Sequence, residues 1–542
     1  MPRTRRSAAG GPARVDLRRA VGAALAAAVA GTLLAGAPGT ARADPAAEPT
    51  VRPTSGPTAR AISAPRVRPA SGPIRWVPCP ADGSAECGTL SLPVDWADPA
   101  GRRFDLALAR RPATDPAARV GVLFFGPGGP GDSGLQKVVE SVRFSAELRS
   151  RFDIVSFDPR GVGRSNPVVC ASDLLARVPQ VITDQAQFDA TVRDNAALRA
   201  DCRDRTGPVF DHLDTLSAVR DLDAVRAALG EDRLTFHGSS YGTLLGAQYA
   251  DEYPHRVRAM VLESAIDHSL PMRPFLASQA AAAQDSFDEF VAWCDRSADC
   301  VLHGQDVRAR WADLLDHAER GELPDPTRPG ATLTPFALSA RAQRDLYGPD
   351  WAVLADRIAA WTAATGTIGT DSGAAATSAA GEQANPLAIF CQDWSLPVNN
   401  FAEYTHHLRR LAAIAPDVRY PLVVQALALC LGTPVGNPQR RLRGRTDVPV
   451  LVAATRHDPV SEYARAAAVT RQLHGVLLAY VGWGHGSYTT SPCVGTTVDR
   501  YLVALAVPAT GTRCPAVEPA AAPVPVIKRF ASSRRSTLTL SS

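Results

Sequence analysis

Residues 238–242 read Gly-Ser-Ser-Tyr-Gly, between an apolar run at 234–237 and an Ala/Leu-rich helical stretch at 243–250. A serine in a G-x-S-x-G setting between strand and helix patterns specifies a sharp strand-to-helix turn, the nucleophile elbow. Glycines on both sides keep side chains off a backbone that must pack closely against strand and helix. The Ser240 hydroxyl then stands above a sheet, at a helix N-terminus whose dipole favours negative charge.

The rest of the chain supplies that sheet. Short apolar runs at 120–125, 152–157, 234–237, 257–262, 448–454 and 476–481, several bounded by Gly, Pro or Asp, fit buried parallel strands. Leu216, Val219, Leu222, Val225 and Leu229 form a helical stripe leading into the elbow strand. This βαβ alternation predicts an α/β fold with a mostly parallel sheet flanked by helices. The alternation breaks between 268 and 444, where helix-like stretches dominate and a Gly/Ala/Ser/Thr segment at 365–381 reads as a mobile loop. The expected organisation is core at 74–268, an inserted helical cap at 269–444, and core again at 445–516.

The chain ends are a different kind of sequence. Arginines at 3, 5, 6, 14, 18 and 19 precede an apolar run at 20–36 and then Ala41-Arg42-Ala43, the pattern of a signal peptide cleaved after residue 43. Its run is too short and Ala/Gly-rich for a membrane anchor. Residues 44–73 are Pro-, Ala- and Ser-rich and predict a disordered linker or propeptide; the tail at 517–542 reads as disordered. The leader carries seven arginines and one aspartate, so the net charge of +4 becomes about −2 without it. The basic excess thus belongs to export, and nucleic acid is excluded as a partner. Secretion also suits ten cysteines, which fall into neighbouring pairs: Cys79 with Cys87, Cys170 with Cys202, Cys294 with Cys300, Cys391 with Cys430, and Cys493 with Cys514. No zinc-type spacing occurs, so neither metal nor cofactor is expected, and the secreted chain is expected to be a monomer.

A serine hydroxyl attacks an acyl carbon only with a base to take its proton and a carboxylate to orient that base. The strand pattern at 448–454 ends in Thr-Arg-His-Asp-Pro, which places Asp458 just past a strand's carboxyl end. One βαβ unit later, Gly-Trp-Gly-His-Gly at 482–486 places His485 in a flexible loop able to fold back over Ser240. Asp447 precedes its strand and so lies at the wrong sheet edge. His237 ends the elbow strand and packs locally, and His406-His407 reads as solvated surface. The tetrahedral oxyanion needs backbone donors, each worth roughly 3–4 kcal/mol. The amide of Tyr241 is one. The other is assigned to Gly129, with Gly128 second, in the Gly-Pro-Gly-Gly-Pro-Gly loop at 126–131.

Trp76-Val77-Pro78-Cys79, the 126–131 loop, Asp158-Pro159-Arg160-Gly161-Val162-Gly163-Arg164-Ser165, the elbow with Thr243, Ala388-Ile389-Phe390-Cys391-Gln392-Asp393, and Gly484-His485-Gly486 followed by Cys493 and Cys514 together resemble the secreted tripeptidyl aminopeptidases of actinomycetes. These are proline-iminopeptidase-like serine α/β-hydrolases. The resemblance spans about 74–516. It differs at Gly126, where Asn is usual, and at Ser461-Glu462, where Thr-Pro is usual. It implies an α/β-hydrolase fold, peptide substrates, release of short peptides from free N-termini, and Ser240, Asp458 and His485 as the triad. An exopeptidase must also bind the substrate ammonium with a carboxylate. Asp393 is the first candidate, with Glu462 and Glu263 behind it. A secreted carboxylesterase or a prolyl aminopeptidase is the alternative reading of the same triad.

Overall fold

The computed structural model describes residues 74–328, 330–348, 350–365 and 381–519. The expected leader at 1–43, the 44–73 segment, most of the 365–381 loop and the tail beyond 519 lie outside the described residues.

Twelve strands occur among the described residues: β1 (Val77–Pro78), β2 (Glu86–Pro93), β3 (Arg103–Arg111), β4 (Gly121–Gly126), β5 (Phe152–Phe157), β6 (Val169–Ala171), β7 (Leu234–Ser239), β8 (Val257–Glu263), β9 (Glu382–Ala384), β10 (Leu451–His457), β11 (Val476–Trp483) and β12 (Arg513–Cys514). Ten form one sheet in the order β1-β2-β3-β5-β4-β7-β8-β10-β11-β12, while β6 and β9 form a separate ladder. From β5 to β12 every pairing is parallel. Every residue of β4 and β5 is buried, which is why these strands read as unbroken apolar runs.

The opposite end, β1-β2-β3, is antiparallel and was not among the strands expected from apolar runs. Its signal is alternation: Leu90 and Leu92 are buried between Thr89 and Ser91, and Phe104, Leu106 and Leu108 are buried on the neighbouring strand. Strand β10 starts at Leu451 rather than 448 and runs on to His457, so Asp458 is the first residue beyond its end.

Between β8 and β10 stand the helices Met272–Arg296, Val307–Glu319, Pro335–Tyr347, Trp351–Ala364, Leu387–Asp393, Phe401–Ile414 and Val423–Leu429. They share a core of their own, with Phe287, Leu314, Trp293, Trp311 and Trp351 fully buried; each buried Leu or Phe contributes roughly 1.5–3 kcal/mol. That core also takes in Ile182 and Phe188. Asn195, on the helix Gln185–Thr206, donates to the carbonyls of Ala428 at 2.8 Å and Leu431 at 3.2 Å. Part of the cap is therefore built from a segment that sequence patterning assigns to the core. His407 is a further correction: it is buried, 3.8 Å from Glu403, rather than solvated.

All five neighbouring cysteine pairs are disulfides: Cys79–Cys87, Cys170–Cys202, Cys294–Cys300, Cys391–Cys430 and Cys493–Cys514.

Candidate active site

Ser240 lies between β7 and the helix Gly242–Glu252 with φ of 55°, in the left-handed region that a non-glycine residue seldom occupies. Its N–H donates to the Glu263 carbonyl at 3.0 Å, and its carbonyl accepts from the Thr243 amide at 2.8 Å. Gly242 is obligatory: a Cβ there would sit 2.2 Å from the Gly126 carbonyl oxygen. Strained backbone and close packing together fix the serine at the carboxyl edge of the sheet.

His485 follows β11, and its Nδ1 lies 2.9 and 3.1 Å from the two carboxylate oxygens of Asp458. Asp458 also accepts the amides of Val460 and Ser461 at 2.9 Å and the Ser461 hydroxyl at 2.7 Å. Ser461 thus supplies a hydroxyl to the acid although it departs from the usual Thr. Burial alone would raise the Asp458 carboxyl, but the His485 charge and these donors outweigh it and hold it below its ordinary value. Burial alone would lower His485, and the Asp458 charge and hydrogen bond outweigh that and raise it. The other ring nitrogen, Nε2, is buried with no hydrogen-bond partner among the described residues. A base–nucleophile bond of this kind commonly closes only when substrate binds.

The helical segment above the sheet touches His485 directly. The Tyr347 carbonyl accepts the His485 amide at 2.7 Å, and the two rings pack edge to face at 4.9 Å. Tyr347 ends the helix Pro335–Tyr347. Nothing in the sequence around it signals this contact, which depends on how the cap lies over the core.

On the other flank, the loop after β4 packs on Ser240 through Gly128, whose Cβ position would be 3.1 Å from Ser240 Cβ and 3.6 Å from its Oγ. The Cβ position of Gly129, the first choice from sequence, faces the loop's own Gly131 and Asp132 amides. The Cβ position of Gly128 is thus the nearer of the two to Ser240, and Tyr241 is the N-cap of the elbow helix. Asp158 anchors this loop, accepting the Ser133 hydroxyl at 2.5 Å and the Leu135 amide at 3.1 Å. The departure at Gly126 also has a physical cause: a Cβ there would lie 2.3 Å from the Phe236 ring, which occupies the room an Asn side chain needs.

The three carboxylates proposed for the substrate amine are engaged elsewhere. Asp393 is fully buried and accepts the Thr215 amide and Asn437 at 2.8 Å and the Thr215 and Tyr241 hydroxyls at 2.6 Å. Burial pushes its carboxyl up to about 6 against these donors. It braces Tyr241, the residue after Ser240, instead of facing an open site. Glu263 is 1% exposed, pairs with Arg143, and accepts the Ser487 and Tyr488 amides at 2.7 Å each. Burial would raise it, but the Arg143 charge, His237 and those amides hold it below the usual range. Glu462 pairs with Arg465 at 3.1 Å.

His237 is buried among Phe125, Phe144 and Tyr488, with burial bringing it down to about 4. Asp447 pairs with Arg233 and His255, which precede β7 and β8 at the far sheet edge. Arg160 is fully buried against Asp221 at 2.7 Å and serves the fold, not the site.

Comparison with known proteins finds hydrolases. A family described as "alpha/beta hydrolase fold" matches residues 121–351, and one described as "TAP-like protein" matches residues 420–514. Serine protease Hip1 of Mycobacterium tuberculosis is 32% identical over 478 residues, covering 82% of this chain and 91% of that protein. The tripeptidyl aminopeptidase of Streptomyces lividans is 30% identical over 464 residues, covering 79% and 84%. Carboxylesterase B of Mycobacterium tuberculosis is 32% identical over 491 residues, covering 80% and 86%. The chain is a serine hydrolase with an α/β-hydrolase fold and belongs to the tripeptidyl aminopeptidase family of serine peptidases.

Proposed function

We propose that this peptidase is secreted and releases short peptides, above all tripeptides, from free N-termini through an acyl-enzyme on Ser240. The observations that carry the mechanism are the His485–Asp458 pair at 2.9 Å and a serine held at φ of 55° in a strand-to-helix turn. Ser240 Oγ attacks the scissile carbonyl while His485 Nε2 takes its proton, and Asp458 stabilises the imidazolium. The oxyanion is received by the Tyr241 amide and by the Gly128–Gly129 segment. His485 then returns the proton to the leaving amine. Water, activated by the same nitrogen, hydrolyses the peptidyl ester and frees Ser240.

Export is supported by the leader pattern at 1–43 and by the five disulfides. No helix among the described residues is long and apolar enough to cross a membrane.

A secreted carboxylesterase is the second reading, favoured by the relative of that name and by a triad that attacks esters equally well. Hydrolysis of Ala-Pro-Ala p-nitroanilide, its N-acetyl form and p-nitrophenyl esters separates the two. The exopeptidase reading expects the free-amine anilide to be strongly preferred. Equal rates on the blocked form, or activity on esters alone, would defeat it.

A further inference from the structure

Asp458 bonds the His485 ring and Glu263 accepts the Ser487 and Tyr488 amides just beyond it, while Asp132 lies in the loop that packs on Ser240 through Gly128. The first two are buried and committed to other partners, whereas the Asp132 side chain is 43% exposed. We propose that Asp132 is the carboxylate that receives the ammonium of the substrate's free N-terminus. This rests on the exopeptidase reading and assigns the residue that reading requires.

Its position follows from the oxyanion loop. The Asp132 amide donates to the Gly128 carbonyl at 3.4 Å, so Asp132 closes one turn on the glycine that packs against Ser240. On its other side the loop meets the cap: a Cβ on Gly131 would lie 2.2 Å from Pro386, at the start of the helix Leu387–Asp393. Asp132 therefore lies at the seam of core and cap.

An extended peptide advances about 3.3–3.6 Å per residue, which puts the ammonium of a di- or tripeptidyl acyl group about 7–10 Å from the attacked carbonyl. The partner that Asp132 has, Lys137 at 3.1 Å, is a half-exposed ion pair of the kind that contributes little by itself. A substrate ammonium entering the seam can share that carboxylate and turns a weak surface pair into a charge-assisted contact shielded by the peptide.

The test is the ratio of kcat/KM for Ala-Pro-Ala p-nitroanilide to that for its N-acetyl form, with active sites counted by fluorophosphonate titration so that misfolded enzyme drops out. The ratio should fall about 10- to 100-fold in Asp132→Asn, chiefly through KM for the free amine, and recover at least in part in Asp132→Glu. A high wild-type ratio that survives Asp132→Asn overturns the assignment while leaving the exopeptidase reading intact. A wild-type ratio near one overturns both.

Discussion

Glu263 holds Ser240 from behind: its carbonyl accepts the Ser240 amide at 3.0 Å, and its carboxylate accepts the Ser487 and Tyr488 amides just past His485 at 2.7 Å each. One residue at the end of β8 thus ties the nucleophile to the loop that carries its base. Glu263→Gln keeps the shape and removes the charge that Arg143 faces. We expect a stability loss of about 2–4 kcal/mol and a fall in kcat of roughly 10-fold with little change in KM. Thermal unfolding and steady-state kinetics check it, and a kcat within twofold of wild type would refute the tie.

The acid limb of the pH profile follows from the triad. His485 works as a base only when neutral, and although burial alone would lower it, Asp458 raises it above 6.5. The midpoint of the acid limb of kcat/KM should therefore lie above the ordinary histidine value. In Asp458→Asn the limb should move to lower pH while kcat falls on the order of 10⁴-fold. A limb that stays put in that variant would show that another group is titrating.

Asp393 should behave as a brace. Its four donors include the hydroxyl of Tyr241, next to the nucleophile, so Asp393→Asn should lower kcat and leave KM for free-amine peptides nearly unchanged. Its pKa adds a signature in stability. The folded carboxyl is raised to about 6, so between about 4 and 6 the folded state holds a proton that the unfolded chain has released. Wild type should accordingly lose stability relative to Asp393→Asn as pH rises through that window, read from urea midpoints. A KM effect without a kcat effect would return Asp393 to the substrate amine.

The Cys391–Cys430 disulfide joins the helix Leu387–Asp393 to the residue that caps the helix Val423–Leu429, across a sequence separation of 39 residues. Loop closure of that length stabilises by about 4 kcal/mol in the chain-entropy model. Replacing both cysteines by alanine should lower the unfolding midpoint and, because Asp393 sits two residues from Cys391, reduce kcat as well. Unchanged thermal unfolding would show that the cap needs no such staple.

What the sequence made legible was local. The elbow, Asp458 one residue past its strand, His485 between glycines, and cysteines paired with near neighbours all depend on spacing within a few tens of residues. The remainder depends on contacts between distant segments. Ile182 and Phe188 join the cap core only because the helix Gln185–Thr206 lies against residues 428–431. Glu263 and Asp393 are carboxylates near the site whose partners, Arg143, Thr215 and Asn437, come from remote parts of the chain. Periodicity separates strand from helix, but it does not tell a bracing carboxylate from one that faces substrate. β2 and β3 carry the alternation of antiparallel strands, which a search for unbroken apolar runs passes over.

Reaction with a fluorophosphonate, followed by peptide mapping, tests the central claim most directly. A single adduct on Ser240 is expected, formed far more slowly in His485→Ala and absent in Ser240→Ala. An adduct on another residue, or labelling of Ser240 at an unchanged rate without His485, would contradict the triad.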